Sequence, residues 1–213
     1  MPTFDSLAAE YDAWFDGRGK LLFEIEVRAF HEVLPLLPEP WLEAGVGSGR
    51  FARALGIKTG IDPSPKLLEM ARKRGVTGYL SRGEAMPFAA GSFGTVFLIV
   101  TLCFLDTPAE VLREAHRILI TEGKLVLGVV LRESPWGQHY MQLKKEKHRF
   151  YKHARFFSHR EINDLLSQSG FAIEKTVSTL FQRPEEVNKL EPPREGLHPD
   201  AGFTIIVAKK LAR

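Results

Sequence analysis

The sequence predicts an α/β protein built on a mostly parallel sheet with helices on both faces, and three observations lead there. From Trp41 onward, short apolar runs alternate with helix-patterned segments, and parallel strands need such crossover helices between them. The run Val96–Val100 is apolar without a break, as suits a strand buried on both faces. The 213 residues suffice for one domain, and 44% hydrophobic with 26% charged residues is a globular composition rather than a disordered one.

The elements follow in order. Phe4, Leu7, Ala8, Tyr11, Trp14 and Phe15 recur at three- and four-residue steps, which predicts an amphipathic helix over Phe4–Phe15, broken by Asp16-Gly17-Arg18-Gly19. A second helix, Lys20–Leu34, stacks Leu22, Ile25, Ala29, Phe30 and Val33 and is stopped by Pro35, Pro38 and Pro40. Trp41–Ala44 reads as a strand opening into a glycine loop, after which a helix starts at Arg50. Ile57–Ile61 is a second strand ending at Asp62, and Ser64 caps a helix to Arg74 closed by Gly75. Thr77–Leu80 and Val96–Val100 are strands three and four. Thr107 is the expected cap of a helix with Pro108 in its first position, and Lys124–Leu131 is the fifth strand. The last third differs, with a basic helix over Trp136–Arg149 and a helix capped by Ser158 and closed by Gly170. Strands Phe171–Phe181 and Phe203–Ala208 then flank a Pro- and Glu-rich loop, Gln182–Gly202.

Charge is unevenly distributed. The net charge is +3 from 29 basic and 26 acidic residues, yet Lys144, Lys145, Lys147, Arg149, Lys152, Arg155 and Arg160 face Glu146 alone in the segment 144–160. Without that segment the chain is acidic. A single cysteine, Cys103, excludes an internal disulfide and a multi-cysteine zinc site. No apolar run approaches a bilayer span and the first ten residues lack a signal-peptide pattern, so a cytoplasmic protein is expected. His148, His153 and His159 do not share the i, i+4 spacing of a helical metal pair, and no metal is expected.

The chemistry is concentrated in Leu42-Glu43-Ala44-Gly45-Val46-Gly47-Ser48-Gly49-Arg50. Glycines at alternate positions after a strand let backbone approach a ligand with no Cβ in the way, and the following helix directs N–H groups to the same place. A dinucleotide loop of the G-x-G-x-x-G type aligned on Gly45 needs glycine at position 50, where this chain has Arg50. Asp62, at the end of the second strand, suits the two hydroxyls of a ribose. In the segment Ser81 to Phe88, after the third strand, a backbone N–H and a carboxylate suit an adenine ring. Three strand ends thus converge on one adenosine, at the edge where open α/β sheets bind ligands.

On these residues the chain resembles the class I S-adenosylmethionine-dependent methyltransferases, in particular the quinone and small-molecule group. Glu43, Gly45, Gly47 and Gly49 match the acid and glycines of the family's first motif. Asp62, followed by Pro63, matches its ribose-binding acid, and Gly83 and Glu84 match the adenine segment. Residues 116–126 resemble the family's corner into the fifth strand. Ser81, Gly83, Gly94 and Thr121-Glu122-Gly123 depart from the usual residues without removing a side chain that the cofactor needs.

The resemblance implies a Rossmann-like three-layer αβα sandwich, a seven-stranded sheet ending in an antiparallel hairpin, and S-adenosyl-L-methionine as cofactor with S-adenosylhomocysteine as product. It implies one domain, 1–213: a helical lid at 1–36, a cofactor-binding core at 37–131, a basic helical insertion at 132–160 over the acceptor pocket, and a C-terminal helix and strands at 161–213. Thr101 is expected beside the methionine moiety, and Tyr11 on the lid is the candidate catalytic residue. Trp14, Arg132, Trp136 and His139 are the candidates for the acceptor pocket.

The expected acceptor is a small molecule, with an anionic one suggested by the basic segment, and the chain is expected to be a monomer or homodimer. Two alternatives stay open. Basic residues interleaved with Phe150, Tyr151, Phe156 and Phe157 suit single-stranded RNA, although no base-methylation motif accompanies them. An NAD(P)-dependent oxidoreductase is disfavoured by the early third glycine and the lack of a second βαβ half.

Overall fold

The computed structural model describes residues 5–17 and 19–212. Phe4 and Arg18, placed above in the first helix and in its breaker, lie outside the described residues. The first described helix, α1, is Ala8–Trp14, followed by α2, Lys20–His31, and a 3₁₀ turn at Leu34–Leu36. Then come β1 (Trp41–Ala44), α3 (Arg50–Leu55), β2 (Thr59–Asp62), α4 (Pro65–Lys73) and β3 (Thr77–Leu80). They are followed by β4 (Phe93–Ile99), α5 (Pro108–Ile118), β5 (Leu119–Val129) and α6 (Pro135–Lys145). The chain ends with α7 (His159–Gln168), β6 (Phe171–Thr179), β7 (Arg194–Glu195) and β8 (Phe203–Lys210).

These strands form one sheet in the order β3-β2-β1-β4-β5-β8-β6-β7. The first five are parallel, and β8, β6 and β7 join antiparallel. The sheet has eight strands rather than the expected seven, because Arg194–Glu195 in the Pro- and Glu-rich loop pairs with Ser178 and Val177 of β6. Strand alternation separates two cores. Phe97, Ile99 and Val126 pack with Ile25, Ala29 and Phe30 of α2 and with Phe51 and Leu55 of α3 on one face. Val96, Leu98, Leu125 and Leu127 pack with Val111, Leu112 and Ala115 of α5 and with Ile162 and Leu166 of α7 on the other. This two-sided burial explains the unbroken apolar run of β4.

Local chemistry accounts for most boundaries. Ser64 accepts the Leu67 N–H, and Ser158 forms a capping box with Glu161. Thr107, the expected cap of α5, makes no cap bond, because its hydroxyl reaches across to Glu84 instead, at 3.1 Å. The basic helix is shorter than predicted: α6 ends at Lys145, and Lys147 has φ 57°. Gly94, one of the departures from the family pattern, has a reason. A Cβ there would lie 2.3 Å from the Pro38 carbonyl.

Candidate functional site

Strand order reverses between β1 and β4, and two cavities open at their carboxyl ends. The smaller, about 110 Å³, is lined by Gly45, Gly47, Asp62, Pro63, Ser81, Gly83, Glu84 and Thr101, with apolar sides from Ile61, Leu67, Leu98, Leu105 and Val111. Residues from the loops after four consecutive strands of the parallel sheet therefore meet in one cleft, and Tyr11 of α1 closes it.

Asp62 is the polar centre of this cleft. Its Oδ2 accepts the Gly47 N–H at 2.9 Å and its Oδ1 accepts the Ser64 N–H at 2.8 Å. A carboxylate has about four acceptor positions, so each oxygen keeps capacity for a ligand hydroxyl. Burial raises its pKa, against the lowering effect of those two bonds. Gly45, with φ 81°, lies against Thr101: a Cβ at residue 45 would be 2.5 Å from the threonine Oγ1. The Thr101 hydroxyl itself is bonded to the Ile99 carbonyl at 3.0 Å. Glu84 is held by Arg82 at 3.2 Å and by Thr107.

Two expected cofactor residues stand behind the cleft. Gly49 belongs to the packing of α3 on α4, where a Cβ would come 2.9 Å from Ala71 Cα. Glu43 is 2% exposed and does not line the cavity. One of its oxygens takes the Ala52 N–H, Oε2 has no partner among the described residues, and burial holds its pKa well above the carboxylate range.

The helix α1, the expected lid, is held by a residue whose role the sequence reading missed. Arg50 forms a two-pronged pair with Asp12, at 2.9 and 3.0 Å, and two further bonds to Asp16, both 2.6 Å. Arg74 adds a 2.8 Å bond to Asp12 and another to the Ser48 carbonyl. Hydrogen bonds from these guanidinium groups hold the Asp12 pKa far below its usual range although burial opposes them. The network ties α1 to α3 and to the end of α4, and the Tyr11 ring comes to rest over Gly47. Burial pushes the Tyr11 phenol well above its usual pKa, so it stays protonated at neutral pH.

The second cavity, about 640 Å³, shares Tyr11, Val100 and Phe104 with the first. Val100 stands at this junction with φ 52°, an uncommon conformation for a β-branched residue, its N–H bonded to the Gly128 carbonyl. Of the expected acceptor residues, Trp14, Trp136 and His139 line the cavity. Arg132 does not: it pairs with Glu161 at 2.9 Å. The aromatic residues of the basic segment, Phe150, Tyr151, Phe156 and Phe157, turn inward to line it. Tyr140 of α6, which also follows the fifth strand, lines it as well, and residues missed from sequence include Glu26 of α2 and Pro184 and Glu185 of the Pro-rich loop. Cys103 lines it too, its thiol pushed up to about 12 by burial, which disfavours a nucleophilic role.

Comparison with known proteins adds the following. A family model described as a methyltransferase domain matches residues 42–127. An uncharacterised protein of Mycobacterium tuberculosis is 39% identical, over 94% of this chain and 71% of its own length. A Thermotoga maritima demethylmenaquinone methyltransferase is 32% identical, over 60% of this chain and 59% of its own. A crystal structure from Thermotoga maritima has 41% identity and a TM-score of 0.90, with 98% of each chain covered; that protein is described as an S-adenosylmethionine-dependent methyltransferase, possible histamine N-methyltransferase.

Proposed function

The chain belongs to the class I S-adenosylmethionine-dependent methyltransferases, and from that membership we propose that it methylates a small molecule bound in its larger cavity. The observation that carries this reading is the junction: the two cavities meet only through side chains that line both, Tyr11, Val100 and Phe104, among the described residues. A cavity of about 640 Å³ is of the size that holds a small ligand.

The smaller cleft fits the cofactor. Asp62 has free acceptor capacity for the ribose hydroxyls, and Leu105 and Val111 offer apolar contact to a base next to Gly83 and Glu84. Gly45 and Thr101 form a narrow wall for the methionine portion, and the unpartnered Glu43 Oε2 lies buried behind the glycine loop. When bound, S-adenosylmethionine supplies a methyl group on positively charged sulfur, which needs an aligned nucleophile more than a strong base. The chain's work is then alignment and exclusion of water. Positioning of this kind is worth about 7–11 kcal/mol in favourable cases. Tyr11, protonated and lying over Gly47, acts as a cover and hydrogen-bond donor rather than as a base.

Acceptors named for the relatives range from a demethylmenaquinone to a possible histamine, so the acceptor has to be read from this chain's own cavity. The proposal is checked by supplying methyl-labelled cofactor together with small molecules, protein or RNA as separate acceptor pools. Label should enter the small-molecule pool. Incorporation into RNA or protein instead would replace this reading.

A further inference from the structure

The larger cavity is aromatic in its walls and acidic in its charged groups. Glu10, Glu26 and Glu185 line it, whereas Arg149 is the one lysine or arginine among the described lining residues, and it is paired with Glu10. The basic segment therefore does not make a basic cavity. Its lysines stand outside, and its rings point in.

Glu26 is distinct from the other two acids. It sits on the inward side of α2, 9% exposed, and no described residue forms an ion pair or hydrogen bond with its carboxyl group. It lines the same cavity as Tyr140 and Tyr151, whose hydroxyls are bonded to each other. An acid buried without a partner is costly, and burial lifts its pKa to about 8. Nothing in the fold uses the charge, because α2 packs through Leu22, Ile25, Ala29 and Phe30.

The rings near this acid form an array. Tyr140 lies 4.5 Å from Tyr151, 5.9 Å from Trp136 and 6.0 Å from Phe156, the last pair nearly parallel at 7°. Ring faces attract organic cations, most strongly where water is excluded. A cation entering such an array favours the ionised form of the lone carboxyl group, which gives up its proton to solvent and then supplies the counter-charge. We propose that the acceptor is an amine that binds as a cation, held at Glu26 and against the rings of Tyr140, Tyr151 and Trp136. This inference rests on reading the larger cavity as the acceptor site. Glu26 lines only that cavity and not the cofactor cleft, so it is an anchor for the amine rather than a base at the reacting atom.

The test uses three probes of similar shape and different charge: 2-phenylethylamine, 2-phenylethanol and 3-phenylpropanoate. Each is titrated calorimetrically into the full chain saturated with S-adenosylhomocysteine, as wild type and as Glu26→Gln. The amine should bind about tenfold or more tighter than the other two, and Glu26→Gln should remove that advantage while leaving S-adenosylhomocysteine affinity unchanged. Glu26→Met should behave like Glu26→Gln, and both should melt at or above the wild-type temperature, since they remove an unpaired buried acid. An amine that binds no better than the alcohol or the carboxylate, or equally well to both proteins, overturns the inference. Absence of S-adenosylhomocysteine binding overturns the methyltransferase site itself, so the two failures are told apart.

Discussion

The two cavities share three side chains but are built by opposite means. The cofactor cleft takes its polar groups from loops directly after successive strands: Gly45 and Gly47 after β1, Asp62 at the end of β2, Glu84 after β3 and Thr101 after β4. Much of it is backbone, shaped by positive-φ glycines and by N–H groups donated to Asp62. The larger cavity gathers side chains from α1, α2, the end of β5, α6, residues 148–157 and the loop at 184–185. Its polar character depends on a few side chains that long-range packing brings together. A cleft made of backbone suits one invariant ligand, whereas a cavity walled by side chains can be retuned by single substitutions.

That contrast can be broken at three places. The largest effect is expected on the cofactor side, from Asp62→Ala. Losing two hydrogen bonds to a charged acceptor, each worth about 1.5–3 kcal/mol, predicts roughly 100-fold or more weaker S-adenosylhomocysteine binding. Calorimetry measures it, and an unchanged affinity removes Asp62 from the ribose role.

Arg50→Ala tests whether the lid couples the two cavities. Its guanidinium and the Asp12 carboxylate are mostly buried, with 17% and 16% of the side chains exposed, so the loss should cost about 1–3 kcal/mol in chemical denaturation. Cofactor affinity should fall by about tenfold as Tyr11 leaves its place over Gly47. Arg50→Lys should not restore either, because a lysine cannot span Asp12 and Asp16 with paired bonds. Full affinity in Arg50→Ala would mean that the cleft closes without the lid.

The smallest effect on cofactor affinity, none, is expected from the larger cavity, where the change concerns stability and pH. The folded-state pKa of Glu26 is about 8 against 4.5 for an unburied glutamate, so between these values the folded chain holds a proton that the unfolded chain has lost. Stability should therefore fall as pH rises through this window, by at most about 1.4 kcal/mol per pH unit, and level off above pH 8. Tyr140, Tyr151 and Cys103, which line the same cavity, are all pushed above their usual ranges and do not titrate there. His139, His148, Arg149, Glu10 and Glu185 line the same cavity and are common to wild type and Glu26→Gln, so the difference in their melting temperatures isolates Glu26. A difference that does not vary between pH 5 and 8 would place the carboxyl in water.

The legibility of the chain follows the same division. β1 and β3 coincide with the predicted strands, and the caps Ser64 and Ser158 were readable, because each depends on a few contiguous residues. Thr107 does occupy the N-cap position of α5, but its side chain does not cap, for the opposite reason. Its sequence neighbourhood is that of a helix cap, but its hydroxyl is taken by Glu84, 23 residues earlier in the chain. Arg132 was expected in the acceptor cavity from its place after the fifth strand, and Glu161 draws it away. Arg50 was readable only as the residue that rules out a dinucleotide loop, since its partners Asp12 and Asp16 lie more than 30 positions earlier.

By itself the sequence determined the layered α/β architecture, the family and the cofactor, because strand–loop–helix joints and left-handed glycines are set by local backbone sterics and short-range spacing. Tertiary structure alone decided that the basic segment keeps its lysines outside the cavity and turns its rings into it. It also decided that one of the two acids on α2, Glu26, shares a cavity with those rings and has no cation among the described residues to pair with. The physical reason is that burial and pairing are properties of distant neighbours, which no window of consecutive residues contains.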